Sequence, residues 1–232
     1  MNGNLHVIGA GGVGSWLTPS LCLLTSPKQV WVHDGDRLEG CNLNRQLFTT
    51  GDIGQNKAVA LARKYGCRAI AEYFTFGQEG LNESDFLICC ADNNPARNAA
   101  LMECDAQGCQ AIIAANEKNS AEAYFYISDS AGTPADPRVY YPQIVTDHAD
   151  DPRAAAIGCT GEAQVQSPQL VSANFMAASL AQWLFVLWGL EVPKLSSNII
   201  PSLPYHLRAN MSRLEQKLVR DALKPQEQER TA

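Results

Sequence analysis

Apolar and polar positions fall into blocks along the chain, and the blocks predict strands and helices in alternation. Residues 5–17 read as a short apolar strand, Leu5-His6-Val7-Ile8, then a glycine turn and the start of a helix that continues over 16–24. A second strand is predicted over 29–33, ending at Asp34, and a helix over 56–65. Strands follow over 68–73 and 85–91; after Asp85 the latter is an apolar run of the kind buried on both faces. Asn94 before Pro95 predicts an N-cap and first helical position, with the helix running to 107. Residues 110–114 and 121–127 continue the sheet. The pattern then lapses over 128–167, a stretch rich in Pro, Asp, Ala and Gly. It resumes as an apolar helix over 168–189, capped by Ser167 and Pro168, then a strand over 205–210 and an amphipathic helix carrying Leu214, Leu218 and Leu223. Strands alternating with helices in this order predict an α/β fold. We expect one domain over 1–210, with 128–167 as a crossover loop, and a C-terminal helix and tail over 211–232.

Composition narrows the function. With 232 residues and 46% hydrophobic content the chain can bury a sizeable core. A net charge of −6 argues against a nucleic-acid surface, which needs a basic face. The N-terminus lacks a charged segment followed by an apolar one, so no secretory signal is expected. The longest apolar stretch, 170–190, contains Ser172, Asn174, Ser179 and Gln182, which favours a buried helix over a membrane span. Eight cysteines, Cys89 and Cys90 among them in an apolar run, point to reduced thiols in the cytoplasm; without a C-x-x-C pair a structural zinc site is not expected.

The candidate chemistry begins at the first turn. Gly9, Gly11 and Gly14 fit the G-x-G-x-x-G spacing, in which missing Cβ atoms let backbone approach a phosphate at a helix N-terminus. Asp34 follows at the end of the second strand, where a carboxylate accepts hydrogen bonds from ribose hydroxyls. Residues 37–54 form a long connection centred on Asn42-Leu43-Asn44-Arg45-Gln46, and such length usually marks a functional loop. Lys57 sits in the first turn of a helix, against the macrodipole, so a nearby negative group is expected. Asp92 closes the apolar strand at the sheet's carboxyl edge and suits magnesium. Each feature has an ordinary alternative: a structural glycine turn, a turn aspartate or a solvated lysine.

Taken in order, Gly9-x-Gly11-Gly12-Val13-Gly14, Asp34-Gly35-Asp36, Asn42-Leu43-Asn44-Arg45-Gln46, Gly54-Gln55-Asn56-Lys57 and Cys90-Ala91-Asp92-Asn93 resemble the ThiF/MoeB/HesA family, relatives of ubiquitin-activating enzymes. The resemblance is close over 3–127 and loose beyond. It implies a Rossmann-like, mostly parallel sheet with helices on both faces and antiparallel strands added in the C-terminal half. It further implies an adenylyltransferase using ATP and Mg²⁺, with Gly9, Gly11, Gly12 and Gly14 at the phosphate turn, Asp34 on ribose, Arg45 and Lys57 on the phosphates, Asp92 on magnesium, and Asn42 and Gln46 lining the nucleotide site. The partner it implies is a ubiquitin-like or sulfur-carrier protein activated at its C-terminal glycine. Cys159, in the crossover before the long helix, resembles the thioester cysteine of the simpler members. A homodimer is implied as well.

Two departures stand out. Many relatives carry an N-terminal helix that supplies an arginine to the neighbouring subunit; this sequence starts almost at the first strand, so the expectation is either weaker transition-state stabilisation or substitution by another arginine, such as Arg97 or one from a partner. The zinc-ligand cysteine pairs of many relatives are absent from the sequence. The competing readings are adenylation of a short peptide or small carboxylate, and a non-catalytic nucleotide-binding module. A dehydrogenase is disfavoured, because it has no use for Arg45, Lys57 and Asp92 together.

Overall fold

The computed structural model describes residues 2–77, 80–117, 120–147, 171–191 and 204–210. Seven strands form one mixed sheet: β1 (Leu5–Ile8), β2 (Val30–His33), β3 (Arg68–Ile70), β4 (Phe86–Cys89), β5 (Gln110–Asn116), β6 (Ser120–Tyr126) and β7 (His206–Asn210), in the spatial order β3-β2-β1-β4-β5-β6-β7. The strands β3 through β5 run parallel, with Val7 opposite Val32 on one side and Ile88 on the other. β6 and β7 are added antiparallel. This is the Rossmann-like arrangement, with the antiparallel addition, that the resemblance implies.

Helices cover both faces. α1 (Gly14–Leu24), α2 (Lys57–Tyr65) and α6 (Val171–Leu184) close one face over a core that includes Leu17, Leu21, Leu61, Ile112 and Phe125. α3 (Asn94–Gln107) and the short α5 (Gln143–Thr146) close the other over Leu87, Leu101, Ile113 and Ile144. Because β1 and β4 are central, all their side chains are buried, which explains why β4 is wholly apolar and β1 apolar but for the buried His6. α6 packs on β5, β6 and α1, and its buried face is made of small residues, Ala173, Asn174, Ala177, Ala178 and Ala181, which permit close approach. With its continuation as a π-helical turn, Phe185–Glu191, it is long and apolar enough to cross a membrane by length and composition; here it lies on the sheet, with Phe185 against Phe86 and Trp188 stacked on Phe125.

Several boundaries differ from expectation. β3 ends at Ile70 and not at 73, because the chain leaves the sheet edge to form a loop over the carboxyl end. The cap of α3 is Asn93, whose side chain accepts a hydrogen bond from the Ala96 amide at 2.9 Å; Asn94 is the first helical residue. The crossover is not irregular throughout: Asp136 caps α4 (Pro137–Tyr140) by accepting from the Arg138 amide, and α5 follows directly. Its remainder, with Cys159, Ser167 and Pro168, and the expected helix over 211–232 lie outside the described residues.

Candidate functional site

β1 is the point where strand order reverses: β2 follows it on one side and β4, a later strand, on the other. Chains leaving the carboxyl ends of β1 and β4 therefore diverge and leave a crevice. A cavity of about 490 Å³ opens there, lined by the glycine turn after β1, Asp34 and Asp36 after β2, Arg45 and Gln46 of the following loop, Lys57 of α2, and Asp92 and Asn93 after β4.

The turn depends on two missing side chains. Gly9 holds φ +92°, and a Cβ there would come within 3.0 Å of the Ala91 amide nitrogen. At Gly14 a Cβ would lie 1.9 Å from the Gly9 carbonyl oxygen, so only glycine lets α1 start this close to β1. Gly11 and Gly12 line the cavity; Gly14 serves the packing behind it.

The Asp34-Gly35-Asp36 turn is bound from both sides. Asp34 accepts the amides of Ala10 and Asp36, each at 2.7 Å, and so ties the glycine turn to β2. Burial pushes its carboxyl above the ordinary value, opposed by the Lys57 charge and these two amides. Asp36 meets the Lys57 ammonium at 2.7 Å and also accepts the Tyr73 hydroxyl. Burial raises the Asp36 carboxyl, but the hydrogen bonds from Lys57 and Tyr73 outweigh it and hold the group below its ordinary value. Asp36 is thus the negative group that the helix position of Lys57 requires. Asn56 completes the junction: it caps α2 through the Val59 amide and donates to the carbonyls of Asp34 and Asp36.

Arg45 ends a 3-10 turn, Gly40–Asn44, and its guanidinium donates to the Cys41 carbonyl at 3.2 Å and the Asn44 side chain at 3.1 Å. Its side chain is 9% exposed, facing the cavity. The neighbouring Gln46 leaves its buried Oε1 without a partner among the described residues at the cavity wall, an acceptor that suits a donor on a ligand. Asn42 departs from expectation. It does not line the cavity; it is fully buried in a capping box, its Oδ1 accepting the Glu39 amide at 3.0 Å, and so shapes the turn that carries Arg45.

Asp92 is exposed at the opposite wall. Among the described residues no group of three or more His, Cys, Asp or Glu gathers to hold a metal. A single carboxylate does fit magnesium, which keeps several waters and takes further oxygens from substrate phosphates. Arg97 is placed in a neighbouring cavity of about 240 Å³ with Arg208 and Glu122.

Sequence reasoning missed the loop after β3. Tyr73, Phe74 and Phe76 line the cavity and give it an apolar wall, with Phe74 edge-on to His33. Three aromatics in four residues directly after a short strand were the available signal. It also missed Asp36 as the partner of Lys57, and Asn174 behind the glycine turn.

A family model of the ThiF family matches residues 2–206. The chain is 37% identical over 105 residues to the NEDD8-activating enzyme E1 catalytic subunit of Caenorhabditis elegans, covering 41% of this chain and 24% of that one. It is 42% identical over 69 residues to the protein of that name from Saccharomyces cerevisiae, covering 29% and 23%. The matches thus span about a quarter of these relatives' length. Among solved structures, E. coli MccB with AMPCPP and MccA shares the fold at a TM-score of 0.59 and 19% identity, over 81% of this chain and 56% of that one. PaaA does so at 0.55 and 17% identity, over 81% and 65%. With nearly the whole described sheet inside the matched residues, this chain belongs to the ThiF family.

Proposed function

We propose that the chain is an ATP-dependent adenylyltransferase that activates the C-terminal carboxylate of a ubiquitin-like or sulfur-carrier protein as an acyl-adenylate. The observation that carries the reading is the single cavity at the strand-order reversal, where the glycine turn, Asp34, Arg45, Lys57 and Asp92 meet. Family membership supports it, as do the activating-enzyme relatives and a fold neighbour solved with AMPCPP.

In this reading Asp34 accepts the ribose hydroxyls with the lone pairs its two backbone bonds leave open, and the aromatic wall of Tyr73, Phe74 and Phe76 takes the apolar faces of the base. The turn at Gly11 and Gly12 carries the phosphates at the start of α1. A carboxylate oxygen of the partner attacks the α-phosphorus, the bond to the bridging oxygen breaks, and pyrophosphate leaves. Such transfer is catalysed mainly by positioning and charge neutralisation. Arg45 supplies a cation directly, while Lys57, already paired with Asp36, supplies one that is oriented in advance.

The cavity lining carries three carboxylates, Asp34, Asp36 and Asp92, against the two cations Arg45 and Lys57. A triphosphate entering it therefore needs a divalent cation, and Asp92 is the carboxylate that would hold Mg²⁺. That ion, when bound, neutralises phosphate charge during transfer. Cys159 is proposed as acceptor of the acyl group in a second step, and a homodimer in the cytoplasm as the working form.

The test is exchange of labelled pyrophosphate into ATP with a cognate ubiquitin-fold protein ending in glycine. Exchange is expected, abolished by removing that C-terminal glycine and unaffected by Cys159→Ala. Exchange supported by short carboxylates alone would favour the small-substrate reading, and ATP binding without turnover a regulatory module.

A further inference from the structure

Behind the glycine turn lies a buried polar group that the reaction scheme does not use. Asn174, on α6, is fully buried, its Nδ2 donates to the Arg45 main-chain carbonyl at 3.3 Å, and its Oδ1 has no partner among the described residues. An uncharged polar side chain so placed costs free energy to the extent that its hydrogen bonds are left unmade. The same carbonyl accepts the Trp16 indole N–H from α1 at 3.1 Å, so α1 and α6 both grip the backbone of Arg45. Asn174 fits there because Gly12 has no side chain: a Cβ at Gly12 would lie 2.6 to 2.8 Å from its amide atoms. Gly12 itself lines the cavity. One side chain on α6 therefore touches both the cavity-lining glycine turn and the residue that brings in the guanidinium.

We propose that Asn174 is a positioning residue that fixes the distance between the Gly12 turn and Arg45, so that the seating of α6 sets the geometry of the phosphate site. The inference rests on the nucleotide reading of the cavity for its consequence, but its contacts exist without nucleotide. A helix lying directly after the crossover segment thereby gains purchase on the nucleotide without reaching it. The hydroxyl or amide chemistry of the ligand is not what Asn174 reads; it acts through Arg45 and the turn.

The experiment is a two-by-two set on the full chain: wild type, Gly12→Ala, Asn174→Ala and the double variant. Two quantities are read, the Trp16 indole N–H resonance in nucleotide-free protein and the Kd of AMPCPP. Each single variant is expected to move the Trp16 resonance and to weaken AMPCPP by roughly tenfold, the loss of a hydrogen bond to a buried carbonyl. The double variant is expected to lie within about twofold of Asn174→Ala, because the added methyl occupies space that the amide has left. Additive losses, or an unmoved Trp16 resonance in both single variants, would overturn the proposal. Should Asn174→Ala fail to fold, Asn174→Leu keeps the volume and removes the donor, and it is expected to weaken AMPCPP as Asn174→Ala would. If wild type binds no AMPCPP, the nucleotide reading fails, while the Trp16 resonances still decide whether the three residues are coupled.

Discussion

The two walls of the cavity are built on opposite terms. On the β2 side every charged group is engaged: Asp34 by two amides, Asp36 by Lys57 and Tyr73, and Asn56 bridging the turn to α2. Lys57 is 3% exposed there. On the β4 side Asp92 stands exposed at the end of a strand whose helix is capped by its neighbour Asn93. The first wall is organised by folding and is part of what folding must stabilise. The second contributes a charge that folding leaves in solvent. Substitutions on the two sides should accordingly separate stability from chemistry.

The largest effect is expected from Asp92→Asn. Pyrophosphate exchange should fall by about 100-fold to 1000-fold, the range for removing one electrostatic contribution to a transferring group, while the unfolding free energy from urea titration changes by less than about 0.5 kcal/mol. A loss of stability on that scale or larger would mean that Asp92 is structural and would erase the contrast.

Acid should attack the engaged wall first. His6 and His33 lie 2.9 Å apart beneath it, and burial lowers their values to about 4 and about 3, from 6.5. The folded chain holds these protons less readily than the unfolded chain, so the stability the pair contributes is complete above about pH 6.5 and is lost as pH falls towards 4. For His6 this amounts to about 3 kcal/mol. Unfolding midpoints between pH 7 and 4 test it, and a flat profile in that window would contradict the neutral buried pair.

Asp36→Ala comes next. It takes from the Lys57 ammonium, carried on a side chain 4% exposed, the carboxylate that meets it at 2.7 Å. A fully buried pair would cost about 3 to 5 kcal/mol on such treatment, and the 44% exposure of Asp36 reduces the expectation to about 2 kcal/mol. The double variant Asp36→Ala with Lys57→Met should recover most of that stability and none of the exchange activity. Tyr73→Phe is the smallest step: it removes one hydrogen bond to Asp36 from a largely exposed ring, and about 0.5 kcal/mol is expected in thermal unfolding.

The sequence carried most of the fold because its decisive features are local. Apolar runs mark β1 and β4, whose central position needs no polar face, and the glycine spacing marks the turn between β1 and α1. The cavity lining was legible where a charge ends a strand, as at Asp34 and Asp92, or sits uncomfortably on a helix, as at Lys57. What was not legible depends on distance along the chain. Asn174 meets Arg45 across 129 positions, and no pattern local to either residue announces that contact. Asn42 was placed at the nucleotide site only by the family resemblance, and what takes it away is a local hydrogen bond: its side-chain oxygen is consumed by the Glu39 amide in the capping box. Tyr73 was absorbed into the strand expected over 68–73 because β-propensity cannot see where a sheet edge ends, and Phe74 and Phe76 beyond it were given no role.

Gly14 gives the site an unusual kind of fixity. Since a methyl group there would overlap the oxygen of Gly9, no other side chain can be accommodated by adjusting a rotamer, because the collision is with the Gly9 backbone. A saturation library at this codon should therefore divide cleanly, with synonymous changes surviving and every missense change lost from the folded pool. At that position selection preserves an empty volume.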